Sequence, residues 1–276
     1  MNRSRLTVLT IMALVLVLLA WPAVAHAETD ETIERVSVDK TGGDSDGSSQ
    51  TSSISADGQS VVFGSSATDL VATDANGNTG DIFVRDLVAG TTELVSVSSD
   101  EVQGDKVSSQ PDISPDGRYV AFQSLADNLV SGDGAYVDIF VRDLAEGTTM
   151  LMSRNSDGTA ANGDSSRASI AADEERVYVA YDSVATNLVA PGIDTNGTTR
   201  SIFVSYYWKS DPSTVITTLV DRRTDGSLGI NPNGSGNPDI SADGCYVAYE
   251  SFFWNERTPD GLVSTEVVYE IRSLRS

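Results

Sequence analysis

Histidine and cysteine are nearly missing from this sequence. Its 276 residues hold one of each, His26 and Cys245, and 18 basic residues stand against 40 acidic ones, a formal charge of -22 at pH 7. A single cysteine excludes an intrachain disulfide framework and any multi-cysteine zinc or iron–sulfur site. So acidic a chain repels phosphate backbones and anionic lipid, which argues against nucleic acid as a partner and against adsorption to acidic membranes.

The lone histidine lies in a segment with its own pattern. Arg3 and Arg5 precede an apolar run from Leu6 to Ala20, Pro22 breaks the run, and Ala25-His26-Ala27 follows. This is the three-part layout of a secretory signal peptide, with cleavage expected after Ala27. An uncleaved anchor is the other reading, because Leu6 to Ala25 is nearly long enough to span a bilayer; the intact A-x-A site favours cleavage. No cysteine lies near the site, so lipid anchoring is not expected. Residues 1–27 are therefore read as a leader, and 28–276 as a secreted or periplasmic chain with no stable membrane anchor. Cleavage leaves no histidine, which excludes an imidazole base, a Ser-His-Asp triad and a His-ligated metal.

What the sequence does contain is repetition. Ile54-Ser55-Ala56-Asp57-Gly58 returns as Ile113-Ser114-Pro115-Asp116-Gly117, as the degraded Ile170-Ala171-Ala172-Asp173-Glu174, and as Ile240-Ser241-Ala242-Asp243-Gly244, at intervals of 59, 57 and 70 residues. A second marker runs Ser65 to Val71, Ser124 to Val130 and Ser183 to Val189. A third is Asp81-Ile82-Phe83-Val84-Arg85-Asp86-Leu87, repeated at Asp138 to Leu144 and more weakly from Ser201 to Val204. Three markers in one order at nearly one period define a repeat architecture.

Each unit reads as four strands. Ser114-Pro115-Asp116-Gly117 carries type I turn chemistry, and the short β-branched and aromatic runs Tyr119–Phe122, Ile139–Val141 and Met150–Met152 follow it. No sustained helical period occurs outside the leader. The expected fold is all-β: a propeller of about four four-stranded blades, near 43–100, 101–158, 159–226 and 227–276. Thr32 to Val38 matches Thr91 to Val97, a fourth strand without its first three, while Val268 to Leu274 resembles a third strand. The N-terminal strand 32–38 is therefore expected to close the last blade and remove its open edge.

The order I-S-x-D-G-R-Y-V-A-F, S-x-A-x-N-L-V, D-x-N-G, D-[IV]-F-V-R-D resembles the TolB-like propeller repeats of exported bacterial proteins, relatives of the WD-repeat class. The first two units fit well, the third in part, and the fourth chiefly from Pro238 to Tyr249. The resemblance covers the chain after the leader and implies the fold; TolB itself implies an adaptor that binds other proteins, though it carries an extra N-terminal domain. That family has six or seven blades and this chain four, so a four-bladed ring, a partial ring and an oligomer sharing blades all stay open.

Candidate sites lie in the loops. Asp74-Ala75-Asn76-Gly77-Asn78-Thr79-Gly80-Asp81 alternates oxygen side chains with glycines, as hard-cation loops do, although it is one residue shorter than the usual calcium spacing. Asp133 and Asp138 stand in the second unit, and Asp194 and Asn196 in the third. Calcium is the cofactor this pattern suits; the competing reading is Asx-turns in which Asp and Asn cap their own backbone. Tyr206-Tyr207-Trp208 and Phe252-Phe253-Trp254 are read either as an exposed platform for a glycan or protein partner or as interblade packing. Cys245 reads as an apolar filler. The expected function is a non-enzymatic exported binding or adaptor module for a protein or glycan. The alternative is a carbohydrate-active propeller with paired carboxylates, although no Asp-box pattern is present.

Overall fold

The computed structural model describes residues 33–193, 199–221, 234–254 and 265–273. Nearly all of these fall in one compact unit, Arg35–Ser276. Every regular element described in it is a β-strand. Blade one holds β1 (Ser49–Ile54), β2 (Ser60–Ser65), β3 (Asp81–Asp86) and β4 (Thr91–Leu94). Blade two holds β5 (Ser108–Ile113), β6 (Tyr119–Ser124), β7 (Asp138–Asp143) and β8 (Thr148–Leu151). Blade three holds β9 (Ser165–Ala172), β10 (Arg176–Ser183), β11 (Ser201–Trp208) and β12 (Asp211–Leu219). Blade four holds β13 (Ser235–Ile240), β14 (Tyr246–Trp254) and β15 (Thr265–Ser273). Each is an antiparallel meander in chain order, four-stranded in the first three blades and three-stranded in the fourth. Among the described residues no helix is long and apolar enough to cross a membrane.

The repeat markers are hydrogen-bond geometry written in sequence. In S-x-D-G the serine hydroxyl donates to the aspartate two residues on, Ser55 to Asp57 at 2.6 Å, Ser114 to Asp116 at 2.5 Å and Ser241 to Asp243 at 2.7 Å. The same serine oxygen accepts the amide five residues on, from Ser60, Tyr119 and Tyr246. Glycine closes the turn at positive φ, 74° at Gly117, which a side chain adopts only with strain. In the second marker Ser65, Ser124 and Ser183 accept the amides of Ala67, Ala126 and Ala185, while the alanine and the leucine three residues later are buried.

Strand alternation then distributes each blade's apolar side chains between its two neighbours. In β6 and β7, Val120, Phe122 and Phe140 point into a cluster shared with Val62, Ile82 and Val95 of blade one. Tyr119, Ala121, Ile139 and Val141, between them in sequence, point into a cluster with Val177, Val179, Tyr181 and Phe203 of blade three. Tyr178, Ala180, Ile202 and Val204 turn the other way, toward Ile240, Val247 and Tyr249 of blade four. One stacked aromatic pair recurs on the same face: Phe63–Phe83, Phe122–Phe140 and Tyr181–Phe203, with ring centroids 5.9, 5.8 and 6.0 Å apart.

Of the expected closing strand 32–38, residue 32 lies outside the described residues. Among those described, 33–37 carry no assigned strand, Val38 makes an isolated bridge to Asp44, and β15 is the last strand in the sheet of blade four. Val36 instead packs on Phe63, Ala67, Leu70 and Phe83 of blade one, as Val95 packs on blade two. The 59-residue register is kept, but the segment serves as a cover for blade one and forms no described strand of blade four. Ile54 is accordingly 57% exposed, where its counterparts Ile113, Ile170 and Ile240 are 4, 4 and 7% exposed against the preceding blade.

Phe140 is fully buried in the cluster between blades one and two. Phe140→Ala is expected to lose about 3–5 kcal/mol of unfolding free energy in a denaturant titration, and Val88→Ala, at an exposed turn, less than about 0.5 kcal/mol.

Candidate functional site

The inner strands β1, β5, β9 and β13 each break their pairing at one place. The register slips between Gln50 and Ser52, between Ser109 and Asp112, opposite Ala180–Asp182, and between Gly236 and Asp239. At each slip one non-glycine residue turns left-handed: Thr51 (φ 44°), Gln110 (52°), Arg167 (57°) and Asn237 (50°). These are four of the five such residues described, and Thr51 is β-branched, for which the region is a true outlier. Bulges of this kind re-aim side chains. Here they line a cavity of about 520 Å³ walled by one triplet per blade, Thr51–Ser53, Gln110–Asp112, Arg167–Ser169 and Asn237–Asp239.

The third residue of each triplet stitches neighbouring blades together. Ser53 Oγ donates to Asp112 Oδ1 at 2.6 Å, and Asp112 Oδ2 accepts the Ile170 amide at 2.9 Å. Ser169 Oγ donates to Asp239 Oδ1 at 3.3 Å and accepts the Ile240 amide at 3.2 Å. Burial holds Asp112 above the usual carboxylate range, against the lowering effect of its hydrogen bonds from Ser53, Ile170 and Ile113. Arg167 Nε donates to the buried Asp182 at 2.6 Å, which fixes the guanidinium at the cavity wall. A larger cavity of about 710 Å³ lies beside blade three, around Leu188, Ile193 and Leu219, and a smaller one of about 430 Å³ occupies the equivalent place beside blade one, around Leu70 and Thr92.

The loop carboxylates fall into two different arrangements. In blade one Asp74 Oδ1 accepts the amides of Asn76 (3.2 Å) and Gly77 (3.1 Å), an Asx-turn, and Gln103 Nε2 joins Asp74 Oδ1 (3.0 Å) to Asp81 Oδ2 (2.8 Å). Asp81, fully buried, also accepts from Ser96 Oγ at 2.7 Å, so both its oxygens are occupied. Asn76 Nδ2 donates to the Gly104 carbonyl, and Asn78 lies exposed on the loop. Asp133 and Asp138 of blade two are buried, with Ser153 Oγ donating to Asp138 Oδ1 at 2.6 Å. In blade three Ser201 and Asp221 occupy the places of Asp81 and Ser96, so the two residue types are exchanged. Asp194 and Asn196 lie outside the described residues. Among those described, no group of three or more His, Cys, Asp or Glu side chains is placed to hold a metal.

Tyr206-Tyr207-Trp208, open to both the platform and the packing reading, lies on β11. β11 alternation sends Tyr207, 2% exposed, into the core between blades two and three, while Tyr206 packs on Tyr178 at 5.8 Å. Tyr206 is half-buried and Trp208 exposed, with the Arg176 guanidinium 4.4 Å from the Trp208 ring centre. The side chains of Phe252, Phe253 and Trp254 lie outside the described part of the molecule. Cys245 follows the blade-four turn, half-buried, its amide donating to Asp243.

No family model and no curated protein matches the chain. Among solved structures it is similar to TolB from Acinetobacter baumannii, at 13% identity and a TM-score of 0.41 over 83% of this chain and 42% of that one. It is also similar to a putative TolB from Agrobacterium tumefaciens, at 15% identity and a TM-score of 0.40 over 74% of this chain and 54% of that one. A prolyl endopeptidase is similar at 14% identity and a TM-score of 0.44, over 83% of this chain and 28% of that one. The chain is a β-propeller repeat protein similar to TolB. It spans about half the length of the TolB structures or less.

Four residues of the pocket wall escaped the sequence reading, because Thr51, Gln110, Arg167 and Asn237 share a position and no chemistry. The signal that remained was their constant place, three residues before the marker isoleucine.

Burial, together with the fields of Asp133 and Asp164 and against the Ser153 hydrogen bond, pushes Asp138 up to about 7. An unfolded Asp titrates near 4, so between about pH 4 and 7 the folded chain holds a proton that the unfolded chain releases. Its stabilising share is complete below the lower value and is lost as pH rises through the upper one. With chelator present, the melting temperature is expected to fall from pH 5 to pH 8, and Asp138→Asn to flatten that slope.

Proposed function

We propose that the chain is an exported, non-enzymatic binding module that receives a segment of an extracytoplasmic protein in the inner-strand pocket. The observation that carries this reading is the left-handed residue repeated at one place in all four inner strands. Such backbone costs on the order of 1–3 kcal/mol per residue and persists where surrounding structure imposes it, commonly at ligand sites. What the bulges present is suited to peptide: the amides of Gln110 and Asn237, the hydroxyls of Thr51 and Ser52, and one charge of each sign at Arg167 and Asp239. Among the described residues no aromatic ring lines the cavity, which favours a protein segment over a glycan stacked on a platform. Export rests on the leader read in residues 1–27.

A second reading has a specific basis, since Asp112 and Asp239 both line the cavity and a carboxylate pair is the equipment of a glycosidase. Asp112, however, spends its oxygens on Ser53, Ile113 and Ile170, holding strands together. That use favours binding over proton transfer.

Immobilised protein exposed to the extracytoplasmic fraction separates the two. Wild type and Val88→Ala are expected to retain the same proteins, and a folded Gln110→Ala/Asn237→Ala variant to lose them by tenfold or more. Equal retention by the double variant contradicts the pocket as the recognition site. Glycoside turnover abolished by Asp239→Asn supports the hydrolase instead.

A further inference from the structure

The loops that lead into β3 and β7 occupy equivalent positions and each carries two carboxylates, Asp74 and Asp81 in blade one, Asp133 and Asp138 in blade two. In blade one the pair is bridged by an amide, Gln103 Nε2, which donates one hydrogen bond to each carboxylate. The residue at the same place over blade two is Ala160. Two independent observations fix that equivalence. Gln103 forms the isolated bridge to Val97, and Ala160 the corresponding bridge to Arg154. The marker asparagine of the following blade then donates to each carbonyl, Asn128 Nδ2 to Gln103 and Asn187 Nδ2 to Ala160, both at 2.8 Å.

A methyl group in place of an amide removes both donors: in blade one Asp81 has both oxygens paired and Asp74 keeps only its Oδ2 without a partner, whereas in blade two each carboxylate keeps one. Asp133 is 3% exposed and Asp138 1% exposed, and each keeps a buried Oδ2 with no hydrogen-bond partner. Ser153 serves only Oδ1 of Asp138. Leaving a buried acceptor unmet costs about 1–3 kcal/mol, and more when it is charged. The basic residue whose field reaches Asp133, Lys106, is paired with Asp127. Asp105 and Asp127 add negative field at Asp133, and Asp164 adds it at Asp138.

A cation satisfies two ionised oxygens together, where a proton satisfies one. We propose that the Oδ2 atoms of Asp133 and Asp138 are ligands of a hard divalent cation, calcium, which does in blade two what the Gln103 amide does in blade one. Calcium takes six to eight oxygens, so backbone carbonyls and water complete the shell around two carboxylates. Ligand charge this low places the site in the weak class of extracellular modules, with dissociation constants on the order of 10⁻⁴–10⁻³ M. In blade one three of the four carboxylate oxygens are already paired, so a cation gains less there. Of the six candidate ligands among the described residues the proposal takes two, and the inference stands apart from the pocket and its partner.

Isothermal titration of chelator-treated protein with calcium chloride at pH 7.5, with melting temperatures at zero and 10 mM calcium, tests it. Wild type is expected to show one saturable site in the millimolar range and a higher melting temperature with calcium. Ala160→Gln supplies the blade-one amide, so it is expected to lose the site and to melt higher than wild type without calcium. Asp138→Asn is expected to weaken binding at least tenfold. Absence of both heat and melting shift in wild type overturns the proposal, as does calcium binding unchanged in Ala160→Gln.

Discussion

No blade of this protein buries its own two faces. The middle strands are apolar on both sides, as Tyr119-Val120-Ala121-Phe122 illustrates, and each side finds its cover only in the next sheet. That constraint sets the order of everything else. It places a stacked aromatic pair on the same face of each of the first three blades, it requires turns tight enough to return the chain to the same sheet, and it brings the four inner strands side by side. Polar groups then reinforce what the apolar faces require. The Ser53–Asp112, Asp112–Ile170 and Ser169–Asp239 hydrogen bonds run from blade to blade beside the same interfaces. A pocket walled by all four blades is a product of that convergence.

The architecture was legible because its markers are local chemistry. Serine, aspartate and glycine in S-x-D-G each hold one bond or one backbone angle, so the pattern survives from blade to blade, and its loss at Asp173-Glu174 is visible as a loss. The alternation that divides side chains between neighbours is likewise present in the run of apolar residues, though which side each faces depends on the partner sheet.

What the sequence concealed depends on relations between blades. Position 51, 110, 167 and 237 carries Thr, Gln, Arg and Asn, and only the shared φ reveals it. The difference between the two acidic loops lies in Gln103 and Ala160, residues 22 to 29 positions beyond the carboxylates they govern. Tyr207 was readable as surface or core and became core through its strand's alternation. The N-terminal segment kept its repeat register and yet formed no described strand, because covering Phe63 and Phe83 requires only the side chain of Val36.

The central claim is that the inner strands form one stitched wall, with Asp112 joining three blades through Ser53, its own strand and Ile170. Hydrogen–deuterium exchange on Asp112→Ala tests this most directly. The account predicts that the Ile113 and Ile170 amides, in different blades, lose protection together while β4 and β8 keep theirs. Faster exchange confined to β5, with Ile170 unchanged, would contradict it.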